Sequence, residues 1–278
     1  MTAEGARGSL WETRVTREAH LTDAPVAPSP RPDINTLTLP EVLASLKAGL
    51  WDFRKAPLYG FFFSSFYVIV GFVLLWIGAG TFVWTLALSL GFPLVAPFAA
   101  VGLYEVSRRI EADEKLDWSE ILSIVWGSKG GQLPWIGVVM LLVFLFWSFF
   151  AHMSFALFLG PSALTNISSS YDVYLTPTGM AMIAFQVIVG ALVAFLTFGL
   201  TVVALPLLVD KEFDFVTAML ISLETVSKNK GAMIVWAFIV AACLFVAMLP
   251  VFLGLLVALP VLGHATWHLY RRVLYHPL

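Results

Sequence analysis

His264 and His268 are the residues of this 278-residue chain with the clearest chemical potential. They sit four apart in "LPVLGHATWHLYRR", at the edge of a long apolar run. On a helix that spacing puts both imidazoles on one face. Two histidines so spaced become a metal site when a third ligand joins them. Asp210 or Glu105, each at the end of a returning helix, is the candidate third ligand beside His264. A bis-histidine haem is different, because its two ligands approach one iron from opposite faces of the porphyrin. His264 and His268 share a face and cannot do that. The other histidines are His20, His152 and His276. His152 lies about 19 residues along an outgoing helix, about 28 Å from its start, so it cannot share a centre with His264. An oxidase core is therefore excluded. The same stretch carries Trp267, Tyr270, Arg271 and Arg272, an aromatic belt followed by basic anchors. Anchoring at a membrane boundary outweighs metal binding as the reading of this segment. In "GLYEVSRRIE", Glu105 and Arg109 are four apart and form an ordinary helical ion pair, with Arg108 beside them as a further interfacial anchor. No nucleophile elbow, phosphate loop or paired-acid motif occurs, so no enzyme activity is expected. No cofactor is expected either, although haem and metal stay open.

These side chains must be positioned by helices in a membrane. The chain is 59% hydrophobic and only 12% charged, with a mean hydropathy of +0.88. Soluble domains carry about 25% charged residues. Four stretches, 56–104, 130–171, 173–209 and 231–270, lack Lys, Arg, Asp and Glu altogether. A crossing needs about 20 apolar residues. The first and last stretches are long enough for two crossings each, divided at "WIGAGTF" and "LPVFLG". The expectation is an all-α membrane protein of six transmembrane helices, near 58–78, 82–104, 133–158, 179–208, 231–250 and 252–270. With the N-terminus in the cytoplasm, all 16 Lys and Arg fall on the inner side, as the positive-inside rule demands. Of the 18 acids only Asp172 falls outside. Both termini are then cytoplasmic. The lone Cys243, in "VAACLFVA", serves packing or faces lipid. Residues 1–37 contain "DAPVAPSPRPD" and read as a disordered, proline-rich cytoplasmic tail rather than a secretory signal. Residues 38–278 form the membrane domain.

The six helices are expected as three hairpins, each preceded by a short amphipathic helix lying in the inner interface, with basic residues for anionic lipid. In "TLPEVLASLKAGLWDFRK" the apolar positions Leu39, Val42, Leu43, Leu46, Leu50 and Phe53 recur at helical spacing, and Thr38 with Glu41 makes a capping box. "DWSEILSIVWGSK" and "DFVTAMLISLETVSKNK" repeat the pattern, with Asp117 and Asp214 as caps. Each returning helix carries a proline signature: "GFPLVAP", "ALPLLVD" and "ALPVLGH". Pro93, Pro97, Pro206 and Pro260 should kink their helices and free backbone carbonyls for other partners. The triplication suggests a pseudo-threefold bundle.

Three motifs in order, "FPLVAPFAAVGLYEVSRRIE" (92–111), "LPLLVDKEFDFVTAMLISLETVSKN" (205–229) and "LPVLGHATWHLYRR" (259–272), resemble the bacterial integral membrane family called domain of unknown function 2189. The resemblance runs over roughly residues 38–272. It implies an inner-membrane, six-span protein of unassigned activity. Some members carry a cytochrome c oxidase subunit label, and the family supplies no catalytic residues to carry over. No acid or base lies at the centre of any span, which argues against a proton or ion pathway. With a net charge of −2, nucleic acid is not an expected partner. The expected partners are the lipid bilayer and a membrane-protein complex. The preferred role is a non-catalytic accessory, assembly or organising subunit, in a respiratory complex for example. The alternatives are a transporter or channel for a hydrophobic or lipidic molecule, and a metal- or haem-binding membrane protein.

Overall fold

A computed structural model describes residues 29–76, 82–127, 131–160 and 171–275, with only the backbone at 74, 75, 82–96 and 171. Most of the expected tail, the "WIGAGTF" turn and much of the 160–170 loop lie outside the described residues. The described residues form ten α-helices and one short 3-10 helix, with no strand. In chain order they are α1 (Leu39–Lys55), α2 (Pro57–Trp76), α3 (Phe82–Glu111), α4 (Trp118–Gly127), α5 (Leu133–Leu159), α6 (Pro177–Thr201), α7 (Ala204–Asp210), α8 (Phe215–Lys228), α9 (Lys230–Met248) and α10 (Leu255–Leu274); Tyr171–Leu175 is the 3-10 turn before α6. Among the described residues, three helices are long and apolar enough to cross a membrane: Leu133–Leu159, Pro177–Asp210 and Lys230–Met248. The number rises to four if α1 and α2, bent by 100° at Ala56, count as one broken span. Their lipid-compatible character is plain in what they expose. Leu142, Phe146, Phe149, Leu157, Val187 and Phe238 all lie on the surface, a patterning suited to hydrocarbon and not to water.

Local sequence explains the helix ends. The Glu41 carboxylate accepts hydrogen bonds from the Thr38 N–H (2.8 Å) and hydroxyl (2.6 Å). Asp117 accepts from the backbone of Ser119 and Glu120, and Asp214 from that of Thr217 (2.9 Å). The hydrogen bond to Thr217 holds the Asp214 carboxyl below the ordinary carboxylate range. A carboxyl so depressed contributes stability that is full above its unfolded pKa and is lost as pH falls through the folded one. Asp214→Ala should therefore cost about 1 kcal/mol at pH 7. Thermal melts taken towards pH 3 should show the gap between variant and wild type closing.

The prolines do not behave alike. Just ahead of Pro206, at Val202–Val203, the helix breaks into α6 and α7, and the Ser222 hydroxyl enters the gap. It accepts from the Val203 N–H (3.1 Å) and donates to the Gly199 carbonyl (2.7 Å), the pair that an unbroken helix would have joined directly. At Pro260 the helix runs on, and the freed Leu256 carbonyl lies 3.4 Å from the Ser64 hydroxyl. Helix α3 also runs on through Pro93 and Pro97.

The core sits at the charged end of the bundle. Helix α10 is its hub, with α1, α2, α3 and α9 packed against it, and α3 in turn packs on α5 and α5 on α6. Ile121, Ile136, Leu207, Trp236, Trp267 and Tyr270 are fully buried there. The packing of α1 and the end of the tail add to the expected pattern. Helix α1 buries Val42, Ser45, Gly49, Asp52 and Phe53, while Leu39 and Leu43, which share the expected interfacial stripe with Val42 and Phe53, are more than half exposed. The reason is close approach: small residues let helix backbones meet. The end of the tail is also tied down. Asn229 accepts from the Leu37 N–H (2.6 Å) and donates to the Asn35 carbonyl (3.0 Å), and the Asn35 N–H donates to the Val273 carbonyl (2.8 Å).

Candidate functional site

Helix α10 brings His264 and His268 to one face, as the spacing required, but neither meets the acids expected of it. Their partners come from α1 and α3. The Asp52 carboxylate, 1% exposed, accepts from the Ser107 hydroxyl (2.7 Å) and pairs with His268 Nε2 (2.8 Å) through the same oxygen. Ser107 Oγ also lies 2.8 Å from His264 Nδ1. Since the serine's one proton goes to Asp52, the imidazole is the donor in that contact. His264 is wholly buried. The four side chains thus form a chain, His264–Ser107–Asp52–His268, that joins α1, α3 and α10.

Glu105 and Asp210 are committed elsewhere. Glu105 is buried and accepts from Arg108 (2.8 and 2.9 Å) and Arg109 (2.6 Å). Arg108 reaches on to Glu114, and Arg109 to Glu120 and the Lys115 carbonyl. Hydrogen bonding to Glu105 pushes the Arg108 pKa up. Burial works against the Arg109 charge, but its bonds to Glu120 and Glu105 prevail and its pKa rises too. Arg108 in turn holds the Glu114 carboxyl below its ordinary range. Asp210 accepts from the Tyr270 hydroxyl (2.7 Å) and lies near Lys211 (3.5 Å) and Arg271 (3.7 Å). Trp267 donates to Glu111 (2.9 Å), which also takes Arg271 (3.1 Å). Trp267 and Tyr270, expected as anchors in the interface, are therefore core residues that tie α10 to the ends of α3 and α7. His152 is on the exposed face of α5, bonded to the Ser148 carbonyl (2.7 Å).

This arrangement joins α1, α3 and α10. In a catalytic triad the imidazole stands between hydroxyl and carboxylate, whereas here the hydroxyl stands between the other two. The ring nitrogens that face the cluster are already bonded. Among the described residues no group of three or more His, Cys, Asp or Glu side chains could hold a metal ion. Sequence reasoning missed Asp52, Ser107, Glu111, Ser222 and Asn229. Asp52 was the most legible of them, since it shares a helical face with Ser45 and Gly49.

A second feature lies between α5 and α6. An apolar groove of about 730 Å³ is lined by Met140, Phe144, Trp147, Val187, Gly190 and Thr197 among others. Gln186 at its edge is bonded to Ser154 and to the Ala151 carbonyl (3.2 Å).

Residues 84–210 match a family model described as predicted integral membrane protein, DUF2189. This part of the chain is similar to that family. The match contains the first of the three motifs and the opening of the second; the third lies outside it. No curated protein and no solved structure matched the chain. The matched segment holds Glu105, Ser107, Arg108, Arg109 and Asp210, and the whole of the α5–α6 groove. Asp52, His264 and His268 flank it. The histidine chain is thus built by α1 and α10 closing on one serine of the matched segment. The protein is an integral membrane protein with apolar helices.

Proposed function

We propose that the chain spans the bacterial inner membrane six times, as three hairpins descended from a threefold repeat, with both termini cytoplasmic. In this reading α2, α3, α5, α6–α7, α9 and α10 are the spans. Its role is non-catalytic: an accessory, assembly or organising subunit of a membrane complex, a respiratory one for example. The α5–α6 groove carries this reading. It is apolar, open and within the lipid-facing layer, while the polar clusters at the other end of the bundle are bonded internally. A surface of this kind offers a partner helix shape and packing and offers a reactive substrate nothing. Affinity purification from native membrane in mild detergent, followed by mass spectrometry, should recover a stoichiometric membrane partner. Purification of the chain alone would sink the reading.

The topology has its own test. In a Cys243→Ala background, Val173→Cys and Leu253→Cys should react with an impermeant maleimide on intact cells. Lys115→Cys and Lys228→Cys should react only after permeabilisation. The reverse pattern overturns the orientation. The same groove supports one further reading, a carrier for a hydrophobic or lipidic molecule, whose sign would be a lipid retained by the purified protein and displaced by Gly190→Leu.

A further inference from the structure

Helix α1 has two faces with separate uses. The inner one, with Gly49 and Asp52, is packed on α10. The outer one is a row at four-residue steps, Leu39, Leu43, Lys47, Trp51 and Lys55, with Arg54 beside it. Residues at this spacing lie along one side of a helix. All six are exposed; Leu39, Leu43 and Trp51 each show more than half of their surface. Lys55 Nζ lies 4.9 Å from the centre of the Trp51 ring. Among the described residues no carboxylate forms an ion pair with Lys47, Arg54 or Lys55. Of the two acids on α1, Glu41 is held at the N-terminus by Thr38 and Asp52 is buried on the opposite face. The row therefore presents three unneutralised cations among leucines and a tryptophan.

Geometry gives that row an orientation. Helix α1 is bent by 100° from the α2 axis. If α2 crosses the membrane, as the six-span reading has it, α1 lies close to the membrane plane. A helix in that plane, with apolar side chains at acyl depth and basic ones at headgroup depth, is built for a lipid surface. Tryptophan prefers the same depth.

We propose that the outer face of α1 binds the headgroups of anionic phospholipids and selects them over zwitterionic ones. Phosphates and glycerol headgroups of the inner leaflet meet Lys47, Arg54 and Lys55, while Leu39, Leu43 and Trp51 enter the acyl boundary. The inner face of the same helix carries Asp52, so lipid contact on one side bears directly on the element that closes the histidine chain on the other. This proposal rests on the six-span reading.

The test uses the full chain reconstituted into nanodiscs made from equal parts of phosphatidylglycerol and phosphatidylcholine. Lipids that remain bound are then counted by native mass spectrometry. The wild type should retain phosphatidylglycerol in excess. The triple variant K47Q/R54Q/K55Q removes only exposed side chains and should fold. It should lose the preference, by about fivefold for each cation removed, since a basic residue near an anionic surface contributes about 1 kcal/mol. A control, K115Q/K228Q/K230Q, removes the same charge from positions outside α1 and should keep the preference. A full preference in K47Q/R54Q/K55Q, or an equal loss in the control, overturns the proposal. An inverted maleimide pattern with the α1-dependent preference intact overturns the orientation alone and leaves the lipid face standing.

Discussion

Replacing Asp52 by alanine should destabilise the protein by about 1–3 kcal/mol for each buried polar group left without a partner. The carboxylate is 1% exposed, and one oxygen serves both Ser107 and His268. Without it, the serine hydroxyl and a histidine nitrogen lose their partners inside the bundle, and His264 loses the group that fixes Ser107. Leaving buried polar atoms unpaired is more damaging than the mean value of a hydrogen bond suggests. Asp52→Asn keeps the shape and one acceptor oxygen, so it should lose less than the alanine variant. Because the cluster joins α1, α3 and α10, the loss should appear as early cleavage within α1 under limited proteolysis as well as a lowered melting temperature. A change below about 1 kcal/mol, within the range of a surface ion pair, would mean that the cluster does not hold these helices together.

Gly49→Val should separate α1 from α10. A Cβ at position 49 would stand 2.4 Å from the Ala265 nitrogen and 2.6 Å from the Val261 carbonyl oxygen. Those are backbone atoms, so no rotamer change relieves the clash and a whole helix must shift. Overpacked sites cost about 1–3 kcal/mol and occasionally more, and a valine against backbone belongs at the upper end. Even Gly49→Ala introduces the clashing atom. Gly127 and Gly231 have open space where a Cβ would be, so alanine at either should be tolerated. Melting curves of the four variants in one detergent provide the comparison. Equal tolerance at position 49 would show that α1 does not approach α10 closely.

Both expected effects fall on a helix face that the apolar pattern of α1 marked only through Val42 and Phe53. The interfacial stripe of Leu39, Val42, Leu43, Leu46, Leu50 and Phe53 divides between the two sides of the helix: Val42 and Phe53 are buried in the protein, and Leu39 and Leu43 are exposed. Beside a membrane an apolar stripe does not mark the packed face, because lipid accepts leucine as readily as a protein core does. Between Val42 and Phe53 the packed face holds Ser45, Gly49 and Asp52, chosen by closeness and hydrogen bonding. Composition is equally ambiguous at Trp267 and Tyr270. An aromatic belt and a buried hub have similar composition, and only the carboxylates of Glu111 and Asp210 arriving from other helices tell them apart.

By itself the sequence determined that this is an all-helical membrane chain and where its long apolar helices run. The expected spans near 133–158, 179–208 and 231–250 are the helices Leu133–Leu159, Pro177–Asp210 and Lys230–Met248. Charge-free length, glycine and proline breaks, and capping residues such as Asp214 are local signals, so they can be read without neighbours. The Glu105–Arg109 pair was legible for the same reason, being four residues apart on one helix. The tertiary structure alone decided which acid the histidines meet. Asp52 and His268 are 216 residues apart in the chain, and Asp210 was as plausible a partner by type and depth. Their pairing depends on how α1 and α10 are rotated about their own axes. That rotation is set by the contact of Gly49 with Ala265, and no periodicity within either helix encodes it.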